Sequence, residues 1–195
     1  MNLNLETLKR IFVLSVLSST IIRGFFLFYN IQNEELYFYG DQVEYIELGR
    51  LLYSNFIFDE SFDPGRLPLY PVFISAVLNF FNNLHFVIFF QHLLSLFFIF
   101  IAYRIGLIYS KEIAFISGIV CSLNFSFMIH GNFFLTETLF GLFFFLFLLY
   151  MLNAMHDLRL KDVIIASLFL GLSALVRPVV LYLPFIVVIF LFLNN

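Results

Sequence analysis

Residues 67–103 read LPLYPVFISAVLNFFNNLHFVIFFQHLLSLFFIFIAY, a stretch without one Asp, Glu, Lys or Arg. A helical crossing of the hydrocarbon core needs only about 18 to 20 apolar residues, so the stretch is too long for one span. Asn82, Asn83 and His85 divide it. Leu69 to Phe81 then makes a short apolar helix of roughly 20 Å at 1.5 Å per residue, and His85 to Ile108 is long enough to cross. Residues 113–135 and 178–195 are equally free of charge. Runs such as Phe143 to Tyr150 do not alternate polar with apolar residues, which excludes a membrane β-barrel. The predicted class is all-α, a polytopic transmembrane bundle.

Composition agrees with this. Hydrophobic residues make up 62% of the chain and charged residues 12%, with a mean hydropathy of +0.99; soluble domains carry about 25% charged residues. Phe is very abundant (31) and Trp absent, a bias that reads as codon usage. The single cysteine, Cys121, rules out an intramolecular disulfide or a cysteine-built metal site. Nothing in the charge pattern marks a nucleic-acid partner.

Sidedness follows from the basic residues. Lys9 and Arg10 precede the apolar run Ile11 to Ile22 within a first span of approximately Leu8 to Tyr29, which reads as retained because Arg23 interrupts the run and no small-x-small cleavage site is evident. By the positive-inside rule the N-terminus is cytoplasmic. Residues 31–66, which hold eight of the 13 acidic residues, then form the one sizeable outer loop. If Leu69 to Phe81 does not cross, Arg104 and Lys111 fall inside after His85 to Ile108. Ile113 to Ile129 returns outward, Thr138 to Leu152 inward to Arg159 and Lys161, Val163 to Val176 outward, and a final span runs to Leu193. The expectation is about six spans and one membranous domain over residues 1–195, in the cell membrane, with juxtamembrane helices in the first outer loop.

This parity brings Asp41, Glu44, Arg66, Glu137 and Arg177 to one face. Each admits a plain reading beside a functional one. Asp41 opens Gly40-Asp41-Gln42-Val43-Glu44-Tyr45 and suits a helix start as well as a reactive carboxylate. Arg66, before the proline-braced Leu67-Pro68-Leu69-Tyr70-Pro71, can snorkel to headgroups or clamp a phosphate. Glu137, between Thr136 and Thr138, is a lone carboxylate in apolar surroundings; it also suits the positive end of a helix. Arg177-Pro178 marks a helix break and places a further cation on that side. His85 and His92 are too far apart along a helix to share one metal.

In order along the chain, Asp41 with Tyr45, Arg66 to Pro71, Thr136-Glu137 and Leu175 to Pro178 resemble the N-terminal half of the C-type membrane glycosyltransferases that use polyprenyl-phosphate sugars, the protein mannosyltransferase and lipid A glycosyltransferase-like group. The resemblance implies an inverting transfer of a sugar, hexose or pentose, from a polyprenyl-phosphate donor to an acceptor at the outer face. It implies Asp41 as general base and Arg66 or Arg177 on the departing phosphate. Glu137 would orient the acceptor or help hold a divalent cation, which some relatives use and no compact ligand cluster here requires; Glu44, Tyr45 and Tyr70 would line the substrate. Relatives carry further spans, so the resemblance implies a partial form: a fragment, a split product whose fold a second chain completes, or a reduced form. Two other classes stay open at this point: a transporter or channel subunit in which Arg23, Glu137 and Arg177 line a polar path, and a non-catalytic membrane partner of a full-length enzyme.

Overall fold

The computed structural model describes residues 4–55 and 65–185. Among these residues every regular element is a helix. The eight α-helices are α1 (Leu5–Gln32), α2 (Asp41–Asn55), α3 (Leu69–Phe81), α4 (Leu84–Leu107), α5 (Lys111–Ser122), α6 (Phe125–Ile129), α7 (Glu137–Asp157) and α8 (Leu160–Ala174); short 3-10 turns cover Glu34–Tyr37, His130–Asn132 and Pro178–Tyr182.

The break that divides residues 67–103 is built by its two asparagines. Asn82 ends α3 in the left-handed region at φ 48° and returns its N–H to the Leu78 carbonyl, a conformation asparagine tolerates better than most residues. Asn83 then caps α4, its side-chain oxygen accepting the His85 N–H at 2.8 Å. α3 is thus a separate helix of 13 residues, too short to span.

Three helices are long and apolar enough to cross a membrane: α1, α4 and α7. A fourth crossing arises if α5 and the segment Phe125–Asn132 count as one span, bent by 53°. The bend is a real break, because Asn124 caps α6 by accepting the Phe127 N–H. The continuous helix expected over Ile113 to Ile129 is therefore two pieces. α8 has 15 residues, fewer than the roughly 20 that a straight crossing uses. Of the expected final span, residues 186–193 lie outside the described residues, as do residues 56–64 of the first loop.

α4 is the axis of the bundle. In its most apolar stretch 44% of residues are buried, against 17% for α1 and 22% for α7; α1 leaves many large apolar side chains exposed, while those of α7 are mostly half-buried. α4 packs against α5, α7, α3 and α1, while α7 pairs with α8. One core cluster joins Tyr37, Tyr45, Tyr70, Ile74, Ile88, Phe134 and Val176, tying α2 and α3 to the spans. Arg23, inside α1, is 2% exposed. Its guanidinium donates to the Ser19 hydroxyl and, at 2.9 Å, to Ser95 of α4, as a cation at membrane depth must find polar partners.

Candidate functional site

The charged residues gather where α1 ends and α4 and α7 begin. Gly40 adopts φ 62°, a conformation only glycine takes without strain, and turns the chain so that α2 opens on Asp41. From this first turn Asp41 and Glu44 both reach Arg66. The Glu44 carboxylate accepts from the guanidinium at 2.7 and 2.6 Å, and Asp41 makes one contact at 3.2 Å. Glu44, more than Asp41 and Tyr45, holds Arg66 further above its ordinary pKa. The guanidinium also lies 5.1 Å from the centre of the Tyr45 ring, within cation–π range.

Asp41 keeps most of its carboxylate open. Its side chain is 64% exposed, against 23% for that of Arg66. Tyr45, Leu48 and Leu52 share one buried face of α2, as their spacing predicts, while Asp41 sits at its rim.

A second pair forms at the start of α7. Arg177, in the break after α8, contacts Glu137 at 3.2 Å and lies 6.0 Å from the Phe140 ring centre. The other Glu137 oxygen, Oε2, is buried and has no hydrogen-bond partner among the described residues. Glu137 and Thr138 stand at the polar end of a cavity of about 240 Å³ whose walls include Phe98, Phe127, Phe140, Phe144 and Phe145, with His130 beside them.

The two pairs are joined rather than merged. The Leu69 N–H donates to the Leu175 carbonyl at 3.3 Å, linking the Arg66 turn to the Arg177 turn. Tyr70 lies between: it is fully buried, meets Tyr45 edge to face with 5.1 Å between ring centres, and donates its hydroxyl to Gln91 at 2.8 Å. Burial, followed by the nearby Glu137 and then Tyr45, raises the Tyr70 pKa well above its ordinary value, so this phenol is a hydrogen-bond donor and not a base.

Several residues at this end carry no motif; Asn30, Gln42, Gln91 and Asn132 escaped the sequence reading, and His85 and His92 entered it only as a pair too far apart to share a metal. Gln42 and Gln91 are 5% and 0% exposed, and both bond the backbone between Gly131 and Phe134. Asn30 and His92 meet at the side-chain oxygen of Asn132, at 2.8 and 3.1 Å. His85 bridges Glu34 at 2.8 Å and Tyr37 at 3.0 Å. Burial, then Glu34, pushes the Tyr37 phenol up to about 12, so it stays protonated beside His85. The usable signal was an amide inside an apolar run, since an unsatisfied amide in such surroundings is costly.

Among the described residues no three of His, Cys, Asp and Glu gather as a metal-holding group. Asp41 and Glu44 are engaged by Arg66, and Glu137 stands with Arg177 instead of another carboxylate. This donor set does not fit a protein-built cation cage, and no step below runs through one. A second cavity, about 480 Å³, lies at the far end of α2 against Arg50, Ser54, Asn82 and Asn83, away from both pairs.

Fold and site together define a class: a multi-pass helical membrane protein whose ion-paired groups collect at one end of the bundle, above an aromatic cavity. The family is more particular. Residues 63–195 match the family model described as dolichyl-phosphate-mannose-protein mannosyltransferase, and the chain belongs to that family of membrane glycosyltransferases. The match takes in Arg66, Tyr70, Glu137 and Arg177; Asp41, Glu44 and Tyr45 precede it. No curated protein and no solved structure matches the chain.

Proposed function

We propose that this chain transfers a sugar from a polyprenyl-phosphate donor to an acceptor at the outer membrane face, with Asp41 as general base. The observation that carries the reading is the unequal sharing of Arg66. Glu44 takes both close contacts and Asp41 one longer contact on an exposed carboxylate. Glu44 is thus the main holder of the arginine, and Asp41, engaged by a single longer contact, the carboxylate better placed to meet a substrate proton.

In this mechanism an acceptor hydroxyl or amine attacks the anomeric carbon, its proton passes to Asp41, and the bond from that carbon to the phosphate oxygen breaks with inversion. The lipid phosphate leaves carrying the electron pair. Arg66 and Arg177, whose turns are linked by the Leu69–Leu175 backbone bond, neutralise the growing charge, an effect that is large where water is excluded. The free oxygen of Glu137 accepts a hydroxyl hydrogen bond and so orients the sugar or acceptor. Tyr45 and Tyr70 wall the site, and the cavity below Glu137 suits an isoprenoid tail, being lined mainly by phenylalanine rings.

The outer location is supported by charge. Lys9 and Arg10 lie at the start of α1, Arg104 and Lys111 flank the turn between α4 and α5, and Arg159 and Lys161 flank the turn between α7 and α8. All belong to the end of the bundle opposite the site, which makes that end and the N-terminus cytoplasmic.

The test is transfer from a labelled polyprenyl-phosphate sugar by the reconstituted protein. Asp41→Asn is expected to lose about 10²- to 10⁴-fold in rate, the range general base catalysis supplies, and Glu44→Gln to lose less. Equal transfer by Asp41→Asn and wild type removes Asp41 from the mechanism.

A further inference from the structure

We infer that Gln42 and Gln91 are positioning residues that hold the backbone of residues 131–134 and thereby fix where the Glu137–Arg177 pair stands relative to the Asp41–Arg66 pair. Its catalytic part rests on the function proposed above. Both side chains are buried, and each carboxamide donates twice and accepts once. Gln42 Oε1 accepts the Phe134 N–H at 2.9 Å, while its Nε2 donates to the carbonyls of Leu36 and Tyr39 at 3.0 and 3.3 Å. Gln91 Oε1 accepts the Tyr70 hydroxyl at 2.8 Å, and its Nε2 donates to the carbonyls of Gly131 and Phe133 at 3.3 and 2.9 Å. The partners fix the orientation of both amides, because the Phe134 N–H can only donate and the carbonyls of Leu36, Tyr39, Gly131 and Phe133 can only accept, which leaves Gln91 Oε1 to take the Tyr70 hydroxyl.

These bonds end where the site begins. Gln42 follows Asp41 directly in the first turn of α2, so one residue offers the exposed carboxylate and the next reaches across to a strand of backbone three residues before Glu137. Gln91 closes the other route, from Arg66 over the Tyr45 ring, to Tyr70, to its own amide, and on to Phe133. Both ion pairs are thereby referred to one four-residue segment. Asn30 and His92 anchor the same segment through Asn132. Its backbone has irregular geometry and no helix of its own beyond the single 3-10 turn His130–Asn132. Its own backbone bonds are few, Phe133 N–H to His130 and Leu135 N–H to Phe133, so side chains supply most of its hold.

The experiment uses the full chain in detergent or bilayer, with Gln42→Met and Gln91→Met, which keep length and lose every donor and acceptor. Amide hydrogen exchange of residues 130–137 is read beside the kcat and donor KM of sugar transfer, alone and combined with Glu137→Gln. Loss of a hydrogen bond of ordinary net strength is expected to speed exchange of the Phe134 amide by about tenfold, with distant helices unchanged. The kcat of Gln42→Met is expected to fall by about tenfold or more at nearly constant KM, and that further fall to vanish in the Glu137→Gln background. Unchanged exchange at Phe134 overturns the inference, and so does a loss of kcat of the same factor with and without Glu137→Gln. If wild type transfers no sugar yet Gln42→Met still frees the Phe134 amide alone, the clasp stands and the catalytic reading of the site falls.

Discussion

Replacing Tyr70 with Phe isolates one hydrogen bond at the centre of the site. The ring is fully buried and packs against Tyr45 and Phe73, so the volume and the aromatic contacts remain. What is lost is the 2.8 Å bond to Gln91, and Gln91, itself 0% exposed, keeps a carbonyl oxygen with nothing to accept. A buried acceptor stranded in this way costs about 1 to 3 kcal/mol. For a chain of this size each kcal/mol corresponds to about 2 to 4 °C in the unfolding midpoint, which gives an expected loss of about 2 to 12 °C. The protein carries its own reporter, because Cys121 is the single cysteine and is buried; its labelling by a fluorogenic maleimide during heating follows unfolding. A midpoint within about 1 °C of wild type, smaller than the least orphaned acceptor allows, refutes the reasoning, since it means that the Tyr70 hydroxyl donates nothing of consequence to Gln91.

The buried phenols also give an alkaline signature. Both Tyr37 and Tyr70 have their pKa raised, Tyr37 to about 12 from an ordinary 10.0. The folded protein thus keeps protons that the unfolded chain sheds above pH 10, and stability falls as pH rises from there; Tyr37→Phe is expected to flatten that fall between pH 10 and 12 in the same maleimide assay. Gly131→Ala places a methyl 2.9 Å from His92 Nδ1. That ring is buried and bonded to Asn132, so it does not move freely, and a loss of about 1 to 3 kcal/mol is expected. Thermal midpoints check it, and an unchanged midpoint contradicts the packing described around residue 131.

Much of the fold was legible because membrane constraints are one-dimensional. Helix length, the charge-free runs and the Asn82-Asn83 break placed α1, α3, α4 and α7 within a few residues, and the juxtamembrane helix Leu69–Phe81 agrees with its prediction. The bend at Leu123-Asn124 was missed. An asparagine inside an apolar run reads equally as a packed polar residue, and only its capping bond to Phe127 distinguishes the two. In the candidate site, side and order singled out Asp41, Glu44, Arg66, Glu137 and Arg177 as candidates but not which of them pair. That Arg66 bonds Glu44 more closely than Asp41, and that Arg177 contacts Glu137, depends on how α2 and α8 pack across long sequence separations. Gln42 and Gln91 were invisible for a similar reason. A glutamine states its need for partners without saying which backbone will meet it.

The central claim is that the two arginine–carboxylate pairs serve a single sugar transfer. The most direct measurement is transfer of label from a polyprenyl-phosphate sugar by wild type and by Arg66→Gln combined with Arg177→Gln, in equal amounts of protein whose Cys121 remains protected from maleimide. The account predicts label on the acceptor and released lipid phosphate in equal amounts for wild type, and neither for the double variant. Transfer by the double variant at the wild-type rate would contradict it.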